Sequence, residues 1–523
     1  MAGQILRNAR IWTGDSTQPW AETALVRDGR FAFVGREADL AAPADVDVID
    51  AGGRLVVPGF IDGHAHLLHT GQAMRSVDLK GVTSVAEAVR RVAERVDAEP
   101  AGAWVRGAGW DQHLWPGARF PTRHDLDAVA PETPVALTHT SGHCLWVNSA
   151  ALAAAGIDES TEVPFGGTID LDAGGAPAGI LRDAATALIE RAAPQPSAGD
   201  RRRAVRDALA HAASLGVTGV HAMDVGYGEL SALRALEESG ELDVRVRVYL
   251  TAARLDDWLG ELRTGEGSDR LRIGGVKFFA DGALGSLTAW MLAPYEGSED
   301  AGLALEEPAA LEARLRACLG SGLAPAVHAI GDRANREVLD MFKRARGLTP
   351  ELPRRMEHAQ LLTPEDLPRF GALGVIASVQ AIHATQDKEK VDRFWGDRGR
   401  WAYPFASLAA SGATLAFGSD SPVETMDPLA GLHAAVTRRD AGGDPPTGWY
   451  PEERLSIATA VAAYGAGCAR AAGEEASVGK IAAGYHADFV ELSLDLFAAD
   501  PMRLCDDRVE RTVVGGALVY RRA

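Results

Sequence analysis

The sequence predicts an α/β fold: a (β/α)8 barrel of TIM type with a small composite β-sandwich. Three observations carry this: eight short apolar runs spaced by helix-like segments, period-2 alternation at the two chain ends, and one gap too long to be a loop. Residues 4–50 alternate apolar and polar in QILRNARIWTG, TALVRDGRFAFVG and VDVIDAGG, the mark of half-buried antiparallel strands. ADFVELS and RVERTVVGGALVYRR alternate in the same way near the other end. Neither block has enough sheet to bury a core alone. Residues 1–57 and 475–523 are therefore expected to join in one β domain, with the barrel over 58–474.

The eight barrel strands are read at LVVPGFID (55–62), GVTGVHAMD (216–224), VRVRVYL (244–250), IGGVKFFA (273–280), LAPAVHAI (323–330), RRMEHAQ (354–360), GVIASVQA (374–381) and ATLAFGSD (413–420). Amphipathic runs such as EARLRACLGSG and ANREVLDMFKRARG supply helices between them. The gap between the first two strands far exceeds a normal βα loop, so residues 70–210 are read as an insertion. It contains the helices VAEAVRRVAERVDA and DRRRAVRDALAHAAS, while its Gly-, Trp- and His-rich middle, from WVRGAGWDQHLWPG to GGTIDLDAGGAPAG, reads as loop or lid structure.

Composition narrows the function classes. Apolar residues at 46% and charged residues at 24% exclude disorder and collagen-like character. Lys+Arg 53 against Asp+Glu 72 leaves a net charge of −19, whose field repels phosphate backbones and anionic lipid. Neither nucleic acid nor membrane is an expected partner. Four scattered cysteines without a CxxC pair argue against a disulfide framework or a thiolate zinc cluster. With no signal-peptide pattern and no apolar stretch of about 20 residues, the expected location is the cytoplasm. No Walker or GxGxxG motif stands in the right context, so nucleotide cofactors are not implied.

Barrels of this kind do their chemistry at the carboxyl ends of the strands. There His64 and His66 form H-A-H, and strand side chains at i and i+2 share a face. Lys277 interrupts the apolar run GGVKFFA, His328 and His358 end the fifth and sixth strands, and Asp420 ends the eighth. Singly, each has an ordinary structural explanation: polar surface, a buried ion pair, a hydrogen-bonded core histidine, a helix cap. Six such residues at one end of five strands point instead to a shared site. Four imidazoles and a carboxylate without thiolate favour zinc or a similar divalent ion (Mn, Co or Ni), with donors enough for one metal or two.

PGFIDGHAH, VKFFADGALGS, VHAIGDRAN, EHAQLLTPED and FGSDSPVETMDPL resemble the motif series of the amidohydrolase superfamily almost end to end. The likeness is closest to the branch called amidohydrolase family 3, which includes N-substituted formamide deformylase. Tyr485 and His486 depart from its usual pattern near the return into the β domain. The resemblance implies that His64 and His66 bind the more buried metal, that His328 and His358 bind the more exposed one, and that Lys277, carboxylated on Nζ, bridges them. A one-metal site stays open. Asp420 is expected to belong to the same metal set and to act as general base and acid for a metal-activated hydroxide, so the expected reaction is hydrolysis of a C–N bond of amide or formamide type, other than a peptide bond.

His143, in THTSGHCLWVN, resembles the family's GH-x-x-WVN segment and is a candidate oxyanion donor, or else a tie between insertion and barrel. Candidate substrate contacts are Trp110, His113, Trp115 and Trp146 in the insertion, with His221, Asp224, Gln380 and His383 at barrel-rim positions. LLHTGQ, after His66, lacks the arginine that some superfamily members use to hold a substrate carboxylate, which argues against a cyclic ureide or dihydroorotate-type substrate. The alternatives on the same metal site are an N-acyl amino acid deacylase or a deaminase, and from another class a non-catalytic scaffold. The expected partner is a small-molecule substrate, and the superfamily's habits imply a homodimer or higher homo-oligomer.

Overall fold

The computed structural model of the chain describes residues 3–41, 46–99, 102–141, 143–506 and 508–523. Eight parallel strands form the barrel: β1 (Phe60–Ala65), β2 (Val217–Val225), β3 (Arg245–Thr251), β4 (Leu271–Phe279), β5 (Pro325–Ala329), β6 (Arg355–His358), β7 (Ile376–Val379) and β8 (Leu415–Phe417), each bonded to the next in sequence. The ring closes between β8 and β1 just past the strand ends. Asp420 N donates to His64 O at 2.7 Å and His66 N to Ser421 O at 2.8 Å. Gly418 makes this seam possible, because a Cβ there would lie 2.5 Å from the backbone nitrogen of His64.

Alternation along the strands divides two environments. Val246, Val248, Met356 and Val327 share a core with Leu233, Leu315, Val338 and Phe342 of the surrounding helices. The interior combines a small cluster of Met223, Tyr249 and Ala326 with buried polar groups. Arg355 on β6 reaches Gly63 O on β1 (2.6 Å), Ser378 Oγ on β7 (2.9 Å) and His221 Nδ1 on β2 (2.8 Å).

The stretch read as one first strand, 55–62, divides at Gly59. Leu55–Pro58 leaves the barrel and pairs antiparallel with Phe489–Leu492 and parallel with Arg10–Trp12. A Cβ on Gly59 would fall 2.3 Å from the Thr218 side chain, so only glycine lets β1 and β2 approach at the point of change. Leu55–Pro58 belongs to a six-stranded sheet with Arg10–Trp12, Trp20–Ala21, Phe489–Leu492, Val509–Val514 and Ala517–Arg521. A four-stranded sheet of Arg30–Gly35, Thr23–Arg27, Gly3–Arg7 and Val46–Asp50 lies against it, with Leu6, Val26 and Phe31 packing on Ile11, Val56, Phe489 and Val513. Arg245, at the foot of β3, holds Asp488 through two bonds of 2.6 and 2.9 Å.

Residues 71–204 form a second compact unit. Its middle is not loop. Gly167–Leu171, Pro177–Asp183, Cys144–Val147, Val135–His139, Val105–Trp110 and Val77–Asp78 make a six-stranded sheet in that order. Glycine hides the alternation of VRGAGW: at Gly107 a side chain would meet Val77 O and Leu137 at 2.7 Å, so an inward position that patterning expects to be apolar is left empty. The helix Val85–Ala98 forms over the residues predicted for it, with Ser84 Oγ accepting from Glu87 N at 3.2 Å. Among the described residues no helix is long and apolar enough to cross a membrane.

Candidate metal centre

The polar groups expected at the strand ends meet at one place. His64 Nε2 lies 3.3 Å from Lys277 Nζ and 3.5 Å from Asp420 Oδ1, and His66 Nε2 lies 3.3 Å from the same Oδ1. The His358 ring sits 4.9 Å from that of His64 and 4.6 Å from that of His328. Two sets of three donors fall within ligand reach of one another: His64, His66 and Asp420, and His358, His383 and Asp420.

Hydrogen bonds at the far side of each ring decide which nitrogen faces the site. Glu357 Oε2 accepts from His64 Nδ1 at 2.6 Å, so the proton is on Nδ1 and the Nε2 lone pair points inward. Gln380 Oε1 does the same for His358 Nδ1 at 2.8 Å. For His328 the roles are reversed. Its Nε2 donates to Gly282 O at 3.0 Å, which leaves the lone pair on Nδ1.

Burial keeps these imidazoles neutral, the form a metal needs. Desolvation, reinforced by Lys277, lowers His64 to about 4 and His328 to about 3. Desolvation and the neighbouring His328 hold His358 well below its ordinary value. Burial alone would raise the Asp420 carboxyl, but the surrounding histidines outweigh it and leave the group well below the usual carboxylate range. Desolvation also brings Lys277 down to about 8, toward the neutral amine. Two imidazoles and a carboxylate, without thiolate, fit zinc or a similar divalent ion.

The backbone is shaped for this convergence. His358 (φ 72), Asp420 (φ 60) and Asp224 (φ 57) all adopt the left-handed conformation at strand ends. For residues with a Cβ this costs on the order of 1–3 kcal/mol each and gathers at functional sites.

Patterning did not single out several supporting residues. Glu357, wholly buried, is clamped by Arg355 Nε at 2.8 Å and orients His64. Asp62 fastens the seam by accepting from Ser419 N (3.0 Å), Ser419 Oγ (2.6 Å) and His64 N (3.1 Å). Asp281 accepts from Ile330, Gly331 and Trp290 N, tying the loop after β4 to the end of β5. An Arg and a Glu two apart in the predicted strand RRMEHAQ were the available signal, since they share one face.

The candidate substrate contacts divide. Gln380 is buried behind His358 as its hydrogen-bond acceptor, and His383 faces Asp420 Oδ2 at 3.9 Å. His221 is within the barrel, accepting from Arg355, and does not reach the rim. In the insertion unit Trp110, Trp115 and Trp146 pack on one another in its core, their indole N–H groups donating to Leu137 O, Val82 O and Thr122 O. His113 and His143 of that unit are exposed, His143 with its Nδ1 3.2 Å from Asp183 Oδ1.

Comparison with known proteins places this geometry in context. A sequence model described as the amidohydrolase family matches residues 47–520. The protein LONG AFTER FAR-RED 3 of Arabidopsis thaliana is 35% identical across 99% of this chain and 92% of its own length. N-substituted formamide deformylase of Arthrobacter pascens is 29% identical across 100% of this chain and 99% of its own. The crystal structure of an uncharacterized metal-dependent hydrolase from Pyrococcus horikoshii OT3 aligns with a TM-score of 0.79 at 29% identity, covering 96% of this chain and 99% of that one.

Proposed function

As a member of the amidohydrolase family, the chain is a metal-dependent hydrolase, and we propose that the bond it cleaves is the C–N bond of an N-acyl or N-formyl amine. The observation that carries this reading is the convergence of the His64 and His66 Nε2 atoms on Asp420 Oδ1, at 3.5 and 3.3 Å, beside a buried lysine. The similarity to N-substituted formamide deformylase supports the choice of bond.

In this reading His64, His66 and Asp420 hold the ion, with zinc the best match to the donors. When bound there, the ion supplies Lewis acidity, lowering the pKa of water toward neutrality and polarising the substrate carbonyl. Glu357 fixes the His64 ring. Lys277, part neutral near pH 8, reacts with carbon dioxide to give Nζ-carboxylate and a proton, which replaces a buried cation by an anionic donor. Asp420, ionised in the resting site, takes a proton from water through the oxygen turned away from the two imidazoles as the carbonyl is attacked. The same carboxyl returns that proton to the departing nitrogen, so amide and water give an acid and an amine.

The test is a panel of N-substituted formamides, N-acyl amines and N-acyl amino acids presented to metal-free and zinc-reconstituted enzyme, with amine and ammonia release measured separately. Zinc-dependent amine release that Asp420→Asn abolishes is expected. Ammonia release instead marks a deaminase, and undiminished turnover by Asp420→Asn refutes the mechanism.

A further inference from the structure

Among the described residues, the large apolar side chains that the barrel exposes are Tyr227, Leu292, Leu303, Leu305 and Val423. All of them follow strand carboxyl ends, after β2, β4 and β8, so they stand on the face that carries the metal centre. Apolar side chains exposed singly over a surface need no explanation, whereas apolar surface gathered around one opening marks a binding site. On the β4 side this surface is continuous with the centre. Phe279 lies two residues after Lys277 and so shares its inward face of the strand. Its half-buried ring has its centroid 5.1 Å from Lys277 Nζ and 5.4 Å from that of His328. Leu305 N donates to Ala280 O at 3.0 Å and Leu303 N to Thr288 O at 3.3 Å, which fixes the two leucines beside the end of β4. They are 55% and 46% exposed, so an apolar track leads outward from Phe279 through Leu305 to Leu303.

We propose that this track holds the acyl chain of the substrate, which is then an amide with an apolar acyl group of several carbons rather than a formamide. The proposal rests on the C–N hydrolase reading above. In that reading Asp420, just past the end of β8, returns a proton to the departing nitrogen, so the nitrogen lies toward β8. The ring takes its strands in sequence order, which puts β4 directly across from β8. The two substituents of a carbonyl carbon diverge, so with nitrogen toward β8 the carbon substituent is directed to the side where Phe279 begins. A formyl group has no such substituent and leaves the track empty. The net charge of −19 argues against an anionic membrane as the occupant.

The experiment measures kcat/KM of zinc-loaded protein on two series, acetyl to octanoyl amides of one aromatic amine and acetamides of ethylamine to octylamine. Wild type is expected to gain about two- to fourfold per methylene along the acyl series and to stay nearly level along the amine series. The double variant Leu303→Ser/Leu305→Ser is expected to flatten the acyl slope, and Val423→Ser, on the β8 side, to keep it. A slope on the amine series instead, or an acyl slope that the double variant retains, overturns the assignment. Acetohydroxamate and octanohydroxamate, which chelate a metal ion through the acyl carbonyl, give a reading free of turnover when titrated by calorimetry. Wild type is expected to bind the octanoyl compound at least about 10-fold more tightly, and the double variant to lose most of that ratio; equal affinities in wild type overturn the track. Amide hydrolysis that fails while the hydroxamate ratio stands overturns the C–N hydrolase reading and leaves the track supported. Flat slopes together with a dimer that the double variant dissociates would assign this face to a second copy of the chain.

Discussion

Replacing Glu357 by Gln keeps the shape of a buried side chain but leaves no arrangement of its amide that satisfies both neighbours. Arg355 Nε donates to Oε1 at 2.8 Å, Arg355 Nη2 to Oε2 at 3.2 Å, and His64 Nδ1 to Oε2 at 2.6 Å. With the amide oxygen kept on Arg355 Nε, the NH2 group meets His64 Nδ1 and Arg355 Nη2. His64 must then shift its proton to Nε2, the atom that faces Asp420 and Lys277. With the amide reversed, His64 keeps its acceptor and the NH2 group opposes Arg355 Nε. In both cases the Arg355 guanidinium, buried at the centre of the barrel, loses its counter-charge, which costs about 3–5 kcal/mol. Metal affinity is expected to fall about 10–100-fold. Equilibrium dialysis against buffered zinc measures the affinity, and a urea titration measures the stability. Wild-type affinity together with a wild-type unfolding midpoint in Glu357→Gln would refute the argument that this carboxylate fixes both the His64 tautomer and the barrel interior.

Burial pushes the Glu229 carboxyl from 4.5 up to about 7, so the folded chain keeps a proton there that the unfolded chain releases. Stability therefore declines as pH rises from 4.5 through about 7, by up to about 3 kcal/mol from this group. Glu229→Gln retains an acceptor for Leu68 N and is expected to flatten that slope in urea midpoints collected across the range; an unchanged slope excludes the assignment. Gly59→Ala drives a methyl group into Thr218 and is expected to cost about 1–3 kcal/mol. Adding Thr218→Ala should restore most of it, and a double variant no better than the single one would show that the close approach is not the cause.

The legible parts of the molecule were those written in local periodicity. H-A-H, the lysine in GGVKFFA and the strand-ending His328, His358 and Asp420 announce themselves because polar groups stand where strand patterning calls for apolar ones. The parts that were not legible depend on partners far away in sequence. Gln380 at the end of β7 looks like a rim residue until His358 Nδ1 is found beside it, and His221 looks the same until Arg355 is seen to claim it. Trp110, Trp115 and Trp146 sit among turn-forming residues, yet their indoles find backbone carbonyls inside a sheet that glycine had disguised as loop. Gly59 divides one apolar run between two sheets, and only the distance to Thr218 gives the reason.

The central claim is that His64, His66 and Asp420 hold a divalent ion. An anomalous difference map, from crystals of zinc-loaded protein measured on both sides of the zinc edge, tests it most directly. The account predicts a peak about 2.0–2.2 Å from His64 Nε2, His66 Nε2 and Asp420 Oδ1 together. Zinc bound only elsewhere, or no peak at these atoms in protein that turns over substrate, would contradict it.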